Sequence, residues 1–278
     1  PNSTSLARLL PVPYKQAWTT CPDSPGAIRL ADTAFRPIGV MASIPHSYAS
    51  APDGKWSLRA FYPKGSYVPS SPKPGGFSFY APGPANVSLE TAKEATFGYK
   101  VYFPEDFDFV HGGKLPGLCA FLSHFLFPSP FDKPFYPPDG GNSPAESQNC
   151  SGGSRSTACF SVRMMWRDNG EGEFYIYLPP GNPGNDNLCT VPPISECSPT
   201  YGASVGRRSF MFTRGAWTTV TERVRLNDIG QSNGEVQLWV NGQSVINVNG
   251  LVLRDATGKG RIRGMFMQTF FGGKSIFV

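Results

Sequence analysis

A β-sandwich is predicted for this 278-residue chain on three observations. Its 31 glycines and 28 prolines are too frequent for long helices. Hydrophobic residues at 40% and aromatics at 13% are too abundant for a disordered Pro/Gly-rich polymer, so a large core must form. Segment after segment then alternates apolar with small or polar residues, the pattern of half-buried strands.

In chain order, residues 1 to about 55 carry scattered Pro and Ser with little apolar periodicity and read as an N-terminal wrap over a core. Strand patterns follow at Trp56 to Tyr62, Gly76 to Tyr80 and Phe97 to Phe103. The helix-like piece from Leu89 to Ala95 is too short to matter and runs straight into a strand pattern. Further strands are predicted at Cys159 to Trp166, Glu173 to Leu178, Trp217 to Leu226, Gly234 to Val240, Gln243 to Val248 and Arg261 to Phe270. Asn241-Gly242 marks a tight hairpin, because both residues tolerate positive φ. Strand, turn, strand without a helical period means a sandwich, read as one domain over 1–278 with its core in 56–278.

The charge balance, 25 Lys+Arg against 20 Asp+Glu, is too mild for a nucleic-acid-binding tail but suits an acidic partner. No apolar run of transmembrane length occurs, so no membrane span is expected. Cys150/Cys159 and Cys189/Cys197 form two close pairs inside Gly/Ser/Pro-rich loops and read as loop-stapling disulfides. Zinc needs tighter spacing or nearby His, and the histidines are only 46, 111 and 124, so no metal is expected. With the sequons at Asn2, Asn86 and Asn149, the cysteine pairs favour a secreted, extracellular protein, its leader removed or outside this numbering. A monomer is expected.

Residues two apart share one face of a strand. Ser161 and Arg163 therefore point one way, as do Tyr175 and Tyr177, while Phe174, Ile176 and Leu178 face the core. Such polar pairs either floor a cleft or decorate a solvated face. Asp106/Asp108 and Glu171/Glu173 are carboxylate pairs of the kind a glycoside hydrolase needs. Glu171 and Glu173, at a Gly-rich turn, are read as solvated hairpin ends.

The segment Phe107-Asp-Phe-Val-His-Gly-Gly-Lys-Leu-Pro-Gly-Leu resembles polysaccharide lyase family 14, the alginate and glucuronan lyases, and in particular its fungal members. Ala60-Phe-Tyr-Pro-Lys-Gly-Ser, Cys159-Phe-Ser-Val-Arg-Met-Met-Trp-Arg, Glu173-Phe-Tyr-Ile-Tyr-Leu-Pro, Val224-Arg-Leu-Asn-Asp and Met267-Gln-Thr-Phe-Phe-Gly-Gly continue the likeness in family order. It covers roughly residues 56 to 273. The resemblance implies a β-jelly roll and an active-site set of Lys114, Ser161, Arg163, Tyr175 and Tyr177. It implies β-elimination on a 4-linked polyuronide, an acidic polysaccharide, with glucuronan ahead of alginate.

That chemistry removes the C5 proton, α to a carboxylate, and expels O4. Arg163 and Lys114 suit the carboxylate and the enolate-like transition state. Either tyrosine suits the acid or base, its pKa lowered by nearby cations, and Lys114 suits the base if desolvated. Ser161 suits orientation of substrate or lysine, since no triad is recognisable. Arg59, His111 and Gln268 are substrate-binding candidates, and Arg207 and Arg208 add positive charge. No obligatory cofactor is expected. The alternative is a non-catalytic carbohydrate-binding jelly roll.

Two departures from the family stand out. An apolar run occupies 119–138, and the chain ends at Gly273-Lys-Ser-Ile-Phe-Val where relatives continue into a closing strand, so a truncated C-terminus is expected. Both are read as translated intron, Gly-Lys-Ser being encodable across a splice donor; a spliced message containing both segments overturns this. Cys119 in that run leaves Cys21 either its partner or unpaired.

Overall fold

The computed structural model describes residues 9–89, 91–110, 112–119, 150–154, 156–157, 159–256 and 260–272. Most of the 119–138 run therefore lies outside the described residues, as do Asn2, His111, Asn149 and the last six residues.

The described residues form thirteen strands: β1 (Ser47–Ser50), β2 (Trp56–Arg59), β3 (Phe77–Ala81), β4 (Glu94–Tyr102), β5 (Gly113–Cys119), β6 (Ser161–Trp166), β7 (Glu171–Tyr177), β8 (Ile194–Cys197), β9 (Ala203–Met211), β10 (Trp217–Arg225), β11 (Gly234–Val240), β12 (Gln243–Leu251) and β13 (Gly264–Phe271). A large sheet runs β3-β13-β5-β6-β7-β9-β8, a smaller one β12-β11-β10-β4, and β1 and β2 form a separate hairpin. The two larger sheets pack as the sandwich of a jelly roll. Val162, Met164, Trp166, Phe174, Ile176 and Val205 of the large sheet meet Val220, Val224, Val236, Leu238, Ile246 and Val248 of the small one in a single core. Asn241 and Gly242 turn the β11–β12 hairpin, both at positive φ.

Every strand expected from the sequence is present, with its ends shifted by a few residues in either direction. The Lys114 segment, for which no strand was predicted, forms β5 (Gly113–Cys119), an interior strand of the large sheet. Its glycines serve packing: a Cβ on Gly117 would overlap the Val162 carbonyl oxygen, and one on Gly113 would overlap the Trp166 ring. Strands β8 and β9 were not foreseen. The N-terminal stretch is mainly irregular, interrupted by a short helix at Asp32–Phe35 and by β1.

Between Lys114 and Gly117 strand β5 slips register against both neighbours. Pro116 there has no N–H to give the ladder. Two residues of the opposite sheet satisfy this bulge across the core: Tyr99 Oη donates to the Pro116 carbonyl at 3.0 Å, and Glu222 Oε1 accepts from the Leu118 N–H.

Candidate active site

With Val162, Met164, Phe174 and Ile176 in the core, alternation turns Ser161, Arg163, Met165, Glu173, Tyr175 and Tyr177 to the outer face of the large sheet. Three successive rungs of the ladder carry them. Phe270, Lys114, Met165 and Glu173 are cross-strand partners on the first, Gly117, Arg163, Tyr175 and Ser204 on the second, and Cys119, Ser161 and Tyr177 on the third. Adjacent rungs on one face are about 7 Å apart, two residues of strand. All five family-derived catalytic candidates therefore sit on one patch.

The contacts inside the patch are specific. Lys114 Nζ lies 3.7 Å above the Tyr175 ring centroid and 3.3 Å from Met165 Sδ. Arg163, only 2% exposed, donates from Nη1 to Gln268 Oε1 at 2.7 Å, and Gln268 Nε2 donates to Ser78 Oγ at 3.0 Å. Its guanidinium also lies 4.7 Å from the Phe266 ring. Gln268, a substrate-binding candidate in the sequence, thus links Arg163 to Ser78. Ser161 Oγ donates to the Cys150 carbonyl at 2.8 Å, so its bond goes to the neighbouring loop and not to the lysine. Tyr177 Oη accepts from Gly153 N–H at 3.1 Å. The Cys150–Cys159 disulfide closes that loop, and Cys189–Cys197 staples the second, as the spacing predicts.

Glu171 and Glu173 are not solvated hairpin ends. Glu173 shares the outer face with the tyrosines, yet it is fully buried because two guanidiniums and a hydroxyl cover it: Arg167 Nη2 at 2.6 Å and Arg207 Nε at 3.0 Å, with Ser204 Oγ at 2.6 Å. Glu171 pairs with Arg208 at 2.5 Å. A buried carboxylate survives only when so compensated. Arg167, which the sequence reading did not single out, reaches within 6.0 Å of the Tyr175 ring.

Burial pushes the Lys114 amine well below its ordinary pKa, and the positive charges of Arg163 and Arg167 push it further. Tyr175 goes the other way from what its cationic neighbours suggest. Burial raises its phenol above the ordinary value, the nearby Tyr177 adds to this, and the lowering by Arg167 does not offset them. The site thus holds a readily neutral amine against a phenol that keeps its proton.

The remaining candidates are elsewhere. Arg59 is exposed at the end of β2, outside the large sheet, and His111 lies outside the described residues. Arg59 lines a cavity of about 2010 Å³ between β4, the β1–β2 hairpin and the N-terminal stretch. That cavity opens onto core residues such as Leu115, Leu118, Met265 and Met267 and includes none of the five catalytic candidates. Among the described residues no group of His, Cys, Asp and Glu side chains could hold a metal ion, and no helix is long and apolar enough to cross a membrane.

The family model for polysaccharide lyase 14 matches residues 50–124 and 138–276. Among solved structures, the chain is similar to a marine PL-14 alginate lyase from Aplysia kurodai, with 32% identity, a TM-score of 0.64, and coverage of 82% of this chain and 78% of that one. An alginate lyase from Chlorella virus shares the fold at a TM-score of 0.61 and 24% identity, over 86% of this chain and 85% of that one. A search of curated proteins returns no match.

Proposed function

Since the chain belongs to polysaccharide lyase family 14 and is a polyuronide lyase, we propose that it is a secreted enzyme whose Lys114 and Tyr175 act as base and acid in β-elimination from a 4-linked uronan. One observation carries this assignment: the Lys114 amine, whose pKa is pushed well below the ordinary value by burial and by Arg163 and Arg167, sits directly over the Tyr175 ring. A neutral amine is a competent base at C5, and a phenol that retains its proton is a competent acid at O4.

The Lys114 amine takes the C5 proton. The electron pair left on C5 forms the C4–C5 double bond as the C4–O4 bond breaks, and O4 leaves with the Tyr175 proton. Carboxylate charge grows during proton removal, and the Arg163 guanidinium, braced by Gln268, is placed to stabilise it. Tyr177, anchored by Gly153, and Ser161, anchored by Cys150, hold the third rung in place.

The relative at 32% identity is an alginate lyase, which puts alginate first among substrates to test, ahead of the glucuronan favoured by the resemblance to fungal members. Two disulfides fit an oxidising, extracellular setting. The experiment is incubation with polymannuronate, polyguluronate and glucuronan, read by ultraviolet absorbance of the unsaturated product. Absorbance growth that disappears in Lys114→Ala supports the assignment. Binding of these polymers without product in the intact chain favours a carbohydrate-binding jelly roll instead.

A further inference from the structure

We propose that Arg167 and Arg207, braced from below by the buried Glu173, form a second carboxylate-binding position that takes a uronate next to the one undergoing elimination. This rests on the lyase reading above and adds residues that the reading does not use.

The bracing is asymmetric in charge. Glu173 accepts from Arg167 Nε at 2.9 Å and Nη2 at 2.6 Å, from Arg207 Nε at 3.0 Å and from Ser204 Oγ at 2.6 Å. One carboxylate faces two guanidiniums, so a full positive charge is left over. Arg207 Nη2 also donates to Ser204 Oγ at 3.2 Å. Among the described residues, Nη1 of each arginine has no partner. The two side chains are 13% and 17% exposed while Glu173 is 0% exposed, so the anion is sealed beneath and the cations remain within reach of a ligand. Fixed guanidiniums with free N–H groups suit a carboxylate, which each can take through paired hydrogen bonds.

Placement supplies the second half of the argument. Lys114, Met165 and Glu173 lie on one rung crossing β5, β6 and β7, and Arg207 reaches Glu173 from β9. The Arg167 guanidinium stands 6.0 Å from the same Tyr175 ring that carries Lys114 at 3.7 Å. Neighbouring strands are about 4.8 Å apart, so the surplus charge is one to three strands from the reacting centre. A linear polyanion laid across the strands reaches both positions at once, whereas a single uronate at Lys114 does not.

The test is Arg207→Gln, whose amide can still donate to Glu173 or Ser204, with Arg207→Lys as a second variant that keeps the charge. On a polyuronide, Arg207→Gln is expected to raise KM about tenfold or more with kcat changed about twofold or less, and to flatten the dependence of log KM on log salt. Arg207→Lys is expected to recover part of both. An unchanged KM and salt slope overturns the proposal. So does a loss confined to kcat and thermal stability, which assigns the cluster to holding the sheet alone. If the intact chain yields no unsaturated product from any polyuronide, the lyase reading fails by itself. Calorimetric titration of the same polymers then decides the subsite separately: equal affinity of the intact chain and Arg207→Gln overturns it, and weakened affinity in the variant supports it.

Discussion

In the proposed mechanism Lys114 and Tyr175 divide the work of proton transfer because one environment acts on opposite charge types: burial disfavours ammonium and phenolate alike. Lys114→Ala and Tyr175→Phe are each expected to lower kcat by about 10²–10⁴, with the circular dichroism spectrum unchanged. The sign of the pH dependence follows from the amine. Only neutral Lys114 can accept a proton, so kcat rises with pH, and the rise is centred well below the 10.5 of an ordinary lysine. Arg167 repels the ammonium form, so Arg167→Gln is expected to move the limb to higher pH in a kcat profile at saturating substrate; a limb that stays put removes Lys114 as the titrating base. At this scale the sequence was legible wherever alternation applied. Spacing alone put Ser161 with Arg163 and Tyr175 with Tyr177, while their sharing one face follows from the register of β6 against β7. Glu173 obeys the same parity, two residues before Tyr175, and the signal was there to use. The Gly-rich turn beside it suggested solvent, but no local pattern shows that Arg167 and Arg207 arrive from other strands to compensate it.

At the scale of the strand, β5 is held on both sides by features that sequence periodicity hides. Gly-Lys-Leu-Pro-Gly looks like a turn because its punctuating residues are those of turns, yet the glycines let the strand approach Trp166 and Val162, and proline sits where the register slips. Gly117→Ala is expected to cost more than the ~1–3 kcal/mol typical of overpacking, because the added carbon meets backbone, and denaturant unfolding measures it. Glu222 makes a sharper test. Burial holds its carboxyl well above the ordinary 4.5, outweighing the bond from Leu118 N–H and the field of Arg163. A carboxyl whose folded pKa is raised contributes stability that is fully present below its unfolded pKa and is lost as pH rises through its folded one. Glu222→Gln keeps the acceptor and cannot ionise. Relative to the intact chain it is expected to gain stability as pH rises above about 4.5, and a variant that loses stability there shows a charged carboxylate serving Arg163. Strand β9 escaped notice for a related reason. Gly206 and Arg208 both take positive φ there, breaking the alternation that marks a strand.

For the whole molecule, the sandwich was readable because composition excludes helices and strand patterns recur over most of the chain. Its two-sheet partition was not, since strand order depends on pairings between distant segments. Only the loop staples could be placed locally. The Cys150–Cys159 loop is tied to the catalytic face by the bonds from Ser161 and to Tyr177, so replacing both cysteines by serine is expected to cost ~2–3 kcal/mol and also to lower kcat. A drop in melting temperature with full kcat confines the disulfide to stability.

The ladder that aligns the proposed catalytic side chains also dictates when their patch can exist. Lys114 meets Met165 across a sequence separation of 51 residues, and Arg163 meets Gln268 across 105. Contacts this remote form slowly, after the entropy of closing long loops has been met. A partly collapsed chain with β6 and β7 already paired still lacks the proposed base Lys114 and the Gln268 brace of Arg163. Recovery of activity during refolding should therefore trail recovery of β-sheet signal, making turnover a reporter of the final closure of the large sheet.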